Sequence, residues 1–178
     1  MRQAAVPAPD AFRRAVGRFA TGVTVITTVL DGRHLAMTAN SFVSVSLDPL
    51  LVLVSVRRDA RFHDPLLTAG VWGVSVLAAD MLEASQYFAG QRKHVSNEQL
   101  GGWRHYFGAE TGVALLEGAI AVFECRTVST QPGGDHTLVV GEVVSLAQDR
   151  PDAPPLLFYD GAYLAPWGPL PGSARTGA

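Results

Sequence analysis

Alternation of apolar and polar positions, the pattern of half-buried β-strands, dominates the chain. The strands that it predicts are residues 23–29, 35–38, 42–47, 50–56, 71–77, 120–130, 136–147, 156–159 and 162–164. Residues 50–56 are apolar at nearly every position, which favours a strand at the centre of a sheet. The dipeptides Asp31-Gly32 and Asp160-Gly161 predict two-residue hairpin turns, and Pro132-Gly-Gly-Asp135 predicts a third turn.

Three short helices interrupt the strands. Asp10 is expected to cap the first, whose core-facing stripe at 3.6-residue spacing comprises Phe12, Ala15, Val16 and Phe19. Asp59 is expected to cap a second helix that ends at residue 67. Asp80 with Glu83 forms a capping-box pattern before a third helix that ends near residue 88. Residues 94–112 show no period and predict a long loop.

The order of these elements indicates the fold class. Strands and helices do not alternate regularly, so a doubly wound parallel sheet is disfavoured. The chain is expected to be mainly β with α (α+β), a mostly antiparallel barrel with short helices on its outside. Residues 10–166 would form one domain, between a disordered N-terminal tail (1–9) and a flexible C-terminal tail (167–178), both rich in Pro, Gly, Ala and Ser.

Composition excludes several classes of partner. The 178 residues are 48% hydrophobic and 17% charged, with a formal net charge of −2. A chain without a basic field is a poor match for nucleic acid or an anionic membrane, so neither is expected as a partner. No secretion signal and no apolar run long enough to span a bilayer is present, which favours a cytoplasmic protein. The single cysteine excludes an internal disulfide and a cysteine-rich metal site.

Motifs for hydrolysis and phosphoryl transfer are missing. The sequence has no Gly-x-Gly-x-x-Gly after a strand, no Walker loop and no Gly-x-Ser-x-Gly elbow. The five histidines form no zinc-binding pair around a glutamate, so no metal is expected. Cys125 lies in an alternating strand, where a buried structural thiol is favoured over a nucleophile. These absences indicate chemistry carried by a bound cofactor.

The remaining candidates each admit a structural interpretation. Residues 37–46 combine four hydroxyls with one amide and could bind the edge of a flat heterocycle, or form the solvent face of a strand. Ser55 and Arg61 could clamp a phosphate, although Arg61 could equally be a solvated charge. Phe88 and the residues after it could line a ligand or cap a helix. His136 follows a tight turn, as a catalytic residue or as a surface residue bonded to Asp135.

The chain resembles a known family through an ordered set of short motifs. They are Phe12-Arg13, Gly17-x-Phe19-Ala-Thr-Gly-Val-Thr-Val-Ile-Thr27, Met37-Thr-Ala-Asn-Ser-Phe42, Ser44-Val-Ser-Leu-Asp-Pro49, Phe88-Ala89, Gly134-Asp-His-Thr-Leu138, Gly141-Glu-Val143 and Pro155-Leu-Leu-Phe-Tyr159. Their order and spacing resemble the short-chain flavin reductase family, the small reductase components of two-component flavin-dependent monooxygenases. The resemblance covers residues 12–164.

This resemblance implies a split β-barrel of the FMN-binding type, usually a homodimer. The implied activity is reduction of FMN or FAD by NADH or NADPH, with reduced flavin passing to a separate monooxygenase. The implied flavin contacts are Thr38, Ala39, Asn40, Ser41, Phe42, Ser44 and Val45 at the ring, Ser55, Asp59, Ala60, Arg61 and Phe62 along the ribityl phosphate, and Phe88 and Ala89 closing the pocket. His136, as the catalytic residue, and Tyr163 would face the nicotinamide.

Two positions depart from the family pattern. Leu35-Ala36 stands where the family often has His-Gly, and His34 falls one residue early. Asp59 stands where some relatives carry a basic residue, which bears on phosphate binding and on the choice between FMN and FAD. Two alternatives stay open: an enzyme that holds flavin as a tight prosthetic group and acts on another substrate, and a non-catalytic flavin carrier.

Overall fold

Strands are the main secondary structure of the protein, which we describe from a computed structural model over residues 6–90 and 100–165. The strands are β1 (Thr21–Gly22), β2 (Thr24–Leu30), β3 (Arg33–Ala39), β4 (Val43–Leu47), β5 (Leu50–Arg57), β6 (Val71–Val76), β7 (His105–Phe107), β8 (Ala114–Leu116), β9 (Ala121–Gly133), β10 (His136–Ala147), β11 (Leu157–Tyr159) and β12 (Ala162–Leu164). The helices are α1 (Pro9–Val16), α2 (His63–Ala69) and α3 (Leu82–Ala89), with a 3-10 helix at Ala79–Met81.

The main sheet has seven strands in the order β3-β2-β6-β9-β10-β5-β4. A small sheet has the order β1-β11-β12, and β7 pairs with β8. The pairings of the described strands are antiparallel. The predicted α+β class, mostly antiparallel with short helices, is therefore confirmed. Within the described residues the edge strands β3 and β4 do not pair with each other, so the main sheet is not a closed barrel.

Hairpin turns lie where the sequence places them. Asp31 and Asp160 adopt φ angles of 52° and 50°, each followed by a glycine that also has positive φ. Asp tolerates this left-handed region better than most residues, and glycine adopts it without a steric penalty. The longest hairpin joins β9 to β10 through Gly134 and Asp135, so β9 continues through Pro132 and past its predicted end at residue 130.

The principal core lies on one face of the main sheet. Its buried side chains are Ile26, Ala39, Val52, Val54, Val56, Phe62, Leu66, Trp72, Val74, Cys125 and Val139. They come from β2, β3, β5, β6, β9, β10 and α2, so strands near both ends of the sheet contribute to a single cluster. The sheet therefore curls around this core. A second cluster, which includes Val25, Leu77, Phe88 and Leu156, lies beneath α3 and the small sheet.

β5 lies nearer the sheet edge than the sequence predicts. It pairs with β10 on one side and with the edge strand β4 on the other, so the expected central position is wrong. Val52, Val54 and Val56 are buried, while Leu51 and Leu53 on the other face are only half-buried. A nearly continuous apolar pattern here reflects two covered faces and not a central place in the strand order.

The apolar stripe of α1 does not face the core. Phe12 is 62% exposed, Val16 51% and Phe19 74%, and α1 has no buried residue. The segment after the helix is tied down, because the Asp160 amide donates to the Gly17 carbonyl at 2.8 Å. The prediction of a core-facing helix is therefore wrong for the single chain.

The predicted helix caps are also wrong. Ala8 is the residue before α1, with Asp10 in the first turn, and Phe62 precedes α2. No side chain caps α1, α2 or α3. The carboxylates of Asp59 and Asp80 form ion pairs elsewhere, with Arg57 at 2.6 Å and with Arg150 at 2.8 Å. An arginine is a stronger partner for these carboxylates than a backbone N–H.

The predicted loop 94–112 contains strand β7, so that prediction is wrong at residues 105–107, while residues 100–104 and 108–112 are turns or irregular as predicted. β7 pairs with β8, a strand that the sequence pattern missed, and Phe107 stacks on His34 with ring centroids 4.7 Å apart. Residues 94–99 of the predicted loop, the tail residues 1–5 and the C-terminal tail 167–178 lie outside the described residues. Among the helices that are described, none has the length and hydropathy needed to cross a membrane.

Candidate active site

Several side chains of the hydroxyl-rich segment, residues 37–46, form hydrogen bonds within the protein. Thr38 donates its hydroxyl to the Ser85 carbonyl at 2.6 Å. Ser41 donates to the Ser55 carbonyl at 2.9 Å and accepts from the Ser55 amide at 3.1 Å. These hydroxyls therefore have a packing role that the sequence did not show. Asn40 and Ser44 are exposed, so the segment still presents an amide and a hydroxyl to solvent.

The aromatic and small residues of the same segment divide between core and surface. Ala39 is buried in the principal core, and Phe42 packs against that core with its ring 5.6 Å from Phe123. Val45 is 51% exposed and lies at the irregularity where the pairing of β4 with β5 shifts register. A flat ligand at this segment would thus meet Asn40, Ser44 and Val45 directly, because the side chains of Ala39 and Phe42 contact the core.

The segment after β5 carries the predicted phosphate-binding residues. Ser55 is half-buried on β5, and Arg61 is exposed just before α2. Phe62 is 4% exposed and belongs to the principal core, while Ala60 packs against the same core. Asp59 is exposed and holds the Arg57 guanidinium, which reduces the positive charge at this end of β5. Arg61 carries the positive charge of the predicted phosphate contacts.

α3 brings Phe88 and Ala89 close to two other predicted residues. Phe88 is 8% exposed within the second core cluster, whereas Ala89 at the helix end is exposed. One turn earlier, the buried Ser85 donates its hydroxyl to the Tyr163 hydroxyl at 3.0 Å. Since the Ser85 carbonyl also accepts from Thr38, Ser85 links β3 to β12. This linking residue carries no signal in the local sequence pattern, because its partners lie 47 and 78 positions away.

His136 begins β10 at the tip of the long hairpin. Its Nδ1 lies 2.8 Å from Oδ1 of Asp135, and about a third of its side chain is exposed. An ionised carboxylate only accepts hydrogen bonds, so Nδ1 carries the proton and Nε2 of the neutral ring is left as an acceptor. The hydrogen bond to His136 lowers the pKa of Asp135, which keeps that carboxylate ionised.

Main-chain contacts join the His136 hairpin to residues 57–62, which we call the phosphate segment because they include the predicted phosphate contacts after β5. His136 pairs with Arg57 across the β10–β5 ladder, and the Arg58 amide donates to the Asp135 carbonyl at 3.0 Å. A second link is made by His63, whose Nε2 lies 2.8 Å from the Thr137 hydroxyl. The sequence analysis assigned no role to His63, because its partner is 74 positions away.

Two groups of predicted residues emerge from these contacts. Thr38, Phe88 and Tyr163 share the neighbourhood of α3, while His136 lies with the segment after β5. The Ser41–Ser55 contacts bridge the two groups. Among the described residues no hydrogen bond or ring contact joins Tyr163 to His136, so their shared nicotinamide role stays a prediction.

A cavity of about 290 Å³ lies elsewhere. It is lined by Tyr106, Phe107, Gly108, Ala109, Leu115, Val122, Glu124, Ser145, Leu146 and Ala147. None of the predicted flavin or nicotinamide residues borders it, so the predicted site and this cavity are separate places on the protein.

Cys125 takes no part in the site. Its side chain is fully buried on β9, and burial, followed by the charge of Glu124, raises the pKa of the thiol to about 12. The thiolate is the nucleophilic form of cysteine, and it is not populated at neutral pH with this pKa. The interpretation of Cys125 as a structural thiol is confirmed.

The described residues include no group of three or more His, Cys, Asp or Glu side chains arranged to hold a metal ion. The contacts described above link hydroxyl, backbone and imidazole groups of the predicted site. A family model described as the flavin reductase like domain matches residues 16–165. The chain belongs to this family. The resemblance drawn from the short motifs is thereby confirmed.

Individual relatives agree with the family assignment. An NADH-dependent flavin reductase from a Rhodococcus species is 42% identical over 172 residues, covering 90% of this chain and 92% of that protein. The reductase component of 4-hydroxyphenylacetate 3-monooxygenase from Thermus thermophilus is 37% identical, covering 86% and 94%. The solved structure of the NADH:FAD oxidoreductase SgcE6 from Streptomyces globisporus superposes with a TM-score of 0.83 at 38% identity, covering 91% and 97%.

Proposed function

We propose that this protein is an NADH-dependent flavin reductase that supplies reduced FMN or FAD to a separate monooxygenase. Membership of the flavin reductase family over residues 16–165 is the observation that carries this proposal. Relatives named for NADH favour it over NADPH, and the relative named as a monooxygenase component supports an oxygenase partner. Because both relatives cover more than four fifths of the chain, the proposal concerns the whole domain.

The residues at the candidate site suit a flavin. Val45 offers an apolar surface for a flat ring, and the exposed Asn40 and Ser44 offer hydrogen bonds to its polar edge. The exposed guanidinium of Arg61 suits the phosphate, which it can bind with two parallel hydrogen bonds. Asn40 is not packed into the core, so the ring-binding segment is accessible as this proposal requires.

The chemistry needs few acid–base groups from the protein. When both nucleotides are bound, a hydride passes from the nicotinamide C4 to the flavin N5, a reaction that the two ring systems carry themselves. The task left to the residues at the site is to hold the two rings in register. His136 accepts a hydrogen bond at Nε2 from the nicotinamide amide, while Asp135 fixes its ring. The role of His136 is thus orientation, with no proton to deliver.

A steady-state assay that crosses NADH and NADPH with riboflavin, FMN and FAD tests the function. We expect rapid oxidation of NADH with FMN or FAD, slower oxidation of NADPH, and a higher KM for riboflavin because it lacks the phosphate that Arg61 binds. Binding of oxidised and anaerobically reduced flavin is measured in parallel. A donor of diffusible flavin should bind the reduced form more weakly. Equal affinity, with flavin retained through gel filtration, would favour the alternative of a tight prosthetic group.

The curled sheet supports the finer description of the fold as a split β-barrel of the FMN-binding type. Edge strand β3 and strand β5 near the opposite end both contribute to the principal core, through Ala39 and through Val52. The Ser41–Ser55 hydrogen bonds connect the chain beyond β3 to β5 in the same way. These contacts bring the two ends of the open sheet towards each other without pairing them, which is the arrangement of a split barrel.

We propose further that two copies associate through β4. This edge strand and the first residue of β5 expose Val43, Val45, Leu47 and Leu50, with Leu47 84% exposed. An exposed apolar edge strand favours association with another chain, and identical copies most often pair with two-fold symmetry. Since Ser44 and Val45 also belong to the predicted flavin segment, a second copy here would lie beside the bound ring.

The substitution Leu47→Asp tests this dimer. A charge in the centre of an apolar interface is expected to weaken the association at least about 100-fold, so the variant should run as a monomer in light scattering at micromolar concentration. Leu146→Asp is the matched control, because Leu146 is 55% exposed on β10 and lies outside the β4 surface. A monomeric wild type, or a dimer that survives Leu47→Asp, would contradict the proposal.

A further inference from the structure

A buried hydrogen bond connects α2 to β10 beneath the candidate site. The Nε2 atom of His63, the first residue of α2, lies 2.8 Å from the hydroxyl of Thr137, the second residue of β10. His63 is 8% exposed and Thr137 is 9% exposed. Removing either partner would therefore leave a buried polar group unsatisfied, which makes this contact more costly to lose than one at the surface.

The neighbours of His63 set the direction of this hydrogen bond. The Nδ1 atom lies 2.6 Å from Oδ1 of Asp64, a carboxylate that can only accept while ionised. Nδ1 therefore carries the proton of the neutral imidazole, and Nε2 accepts from the Thr137 hydroxyl. The Asp64 side chain is 90% exposed, so water can replace it, whereas the Thr137 contact is shielded from solvent.

The two partners lie next to the two halves of the candidate site. Thr137 directly follows His136, the proposed nicotinamide contact, and His63 follows Arg61 by two positions. The hydrogen bond from the Arg58 amide to the Asp135 carbonyl at 3.0 Å forms a second connection between the same segments. The start of β10 and the phosphate segment are thus joined on both sides of His136.

We propose that His63 and Thr137 are positioning residues for hydride transfer. Their hydrogen bond holds His136 at a fixed distance from the phosphate segment, so that the nicotinamide lies in register with a flavin held through Arg61. This inference rests on the proposed function. Neither side chain touches the nucleotides, because both are buried and turned towards each other. Small displacements of aligned reactants reduce rates strongly, so a link of this kind acts on turnover of NADH more than on flavin affinity.

The substitution Thr137→Val tests the proposal, because valine keeps the shape of threonine and removes the hydroxyl. We expect kcat/KM for NADH to fall about tenfold, while the dissociation constant of FMN, measured by fluorescence quenching, changes less than about twofold. Thr137→Ser keeps the hydroxyl and should restore most of the activity. His63→Phe should reproduce the loss, and the double variant His63→Phe/Thr137→Val should lose no more than either single variant.

The controls separate this inference from stability and from the proposed function. His63→Gln retains a hydrogen-bonding amide and should keep most of the activity. Comparing it with His63→Phe tests the same hydrogen bond without a substitution in β10. Asp64→Asn should leave kcat/KM nearly unchanged, because its contact is exposed. Wild-type protein that fails to oxidise NADH would overturn the proposed function itself. If the wild type is active, three results would overturn the positioning role alone. They are an unchanged kcat/KM for NADH in Thr137→Val, additive losses in the double variant, and a loss of FMN affinity as large as the loss of kcat/KM.

Discussion

Replacing Gly141 by alanine is expected to lower the free energy of unfolding by about 3 kcal/mol, the cost of overpacking a rigid core. A Cβ at this position of β10 would lie 2.4 Å from Cζ2 and 2.8 Å from Cε2 of Trp72, and 3.1 Å from Cβ of Cys125. Trp72 and Cys125 are fully buried, so neither can move aside into solvent. The midpoint of thermal unfolding should fall by about 10 °C for a domain of this size.

A matched control and a rescue identify the cause. Gly22→Ala adds the same methyl group to a strand where no atom lies within 4 Å, and should change stability by less than about 1 kcal/mol. In the double variant Gly141→Ala/Trp72→Phe, the smaller ring removes the atoms that clash, so part of the lost stability should return. Urea unfolding of the wild type, the single variants Gly141→Ala and Trp72→Phe, and the double variant measures this coupling. An additive double variant would contradict the clash between Gly141 and Trp72.

The substitution His136→Ala is expected to reduce kcat/KM for NADH about thirtyfold, equivalent to about 2 kcal/mol of transition-state stabilisation. The physical reason is the loss of the ring that Asp135 holds with Nε2 turned away from the carboxylate. KM for NADH should rise and kcat should fall, while the dissociation constant of FMN changes little. The effect exceeds that of a single uncharged hydrogen bond, because both binding and alignment depend on this side chain.

Two further variants of the same turn separate orientation from proton delivery. His136→Gln keeps a hydrogen-bonding side chain without an ionisable group, and should recover most of the activity if orientation is the role of His136. Asp135→Asn keeps an acceptor for Nδ1 and should cost less than about threefold. The role of His136 would be wrong if His136→Ala left KM for NADH and kcat unchanged. Recovery that fails with glutamine would indicate a proton-transfer role instead.

Most of the long strands were predicted correctly because they produce sequence patterns that are visible among neighbouring residues. The two-residue alternation and the Asp-Gly turns are properties of neighbouring residues, and β2, β9 and β10 follow them. β7 and β8 were missed because neither shows this alternation and no Asp-Gly turn joins them, so only their pairing with each other defines them. The apolar stripe of α1 indicated correctly that one face of the helix differs from the other. It did not indicate that the single chain leaves this face uncovered.

The residues of the candidate site were predicted from ordered motifs, but the hydrogen bonds that hold them in place were not predicted. The sequence identified Thr38 and Ser41 as ligand-binding hydroxyls, although both form hydrogen bonds within the protein. Ser85 and His63 carry no local signal, because a hydrogen bond between positions 74 or 78 apart is invisible to any window of neighbouring residues. Asp59 and Asp80 were assigned as caps because their arginine partners could not be seen in the helix pattern.

The buried thiol on β9 makes the rate of cysteine labelling a probe of unfolding. With a pKa of about 12 and no accessible surface, Cys125 resists alkylating reagents while the fold is intact. It is the single cysteine of the chain, so the rate of labelling reports exposure of this one position. Because unfolding returns the thiol to its ordinary pKa, deprotonation favours the unfolded chain as pH rises from that value towards 12. Alkaline buffers should therefore lower the free energy of unfolding of the protein.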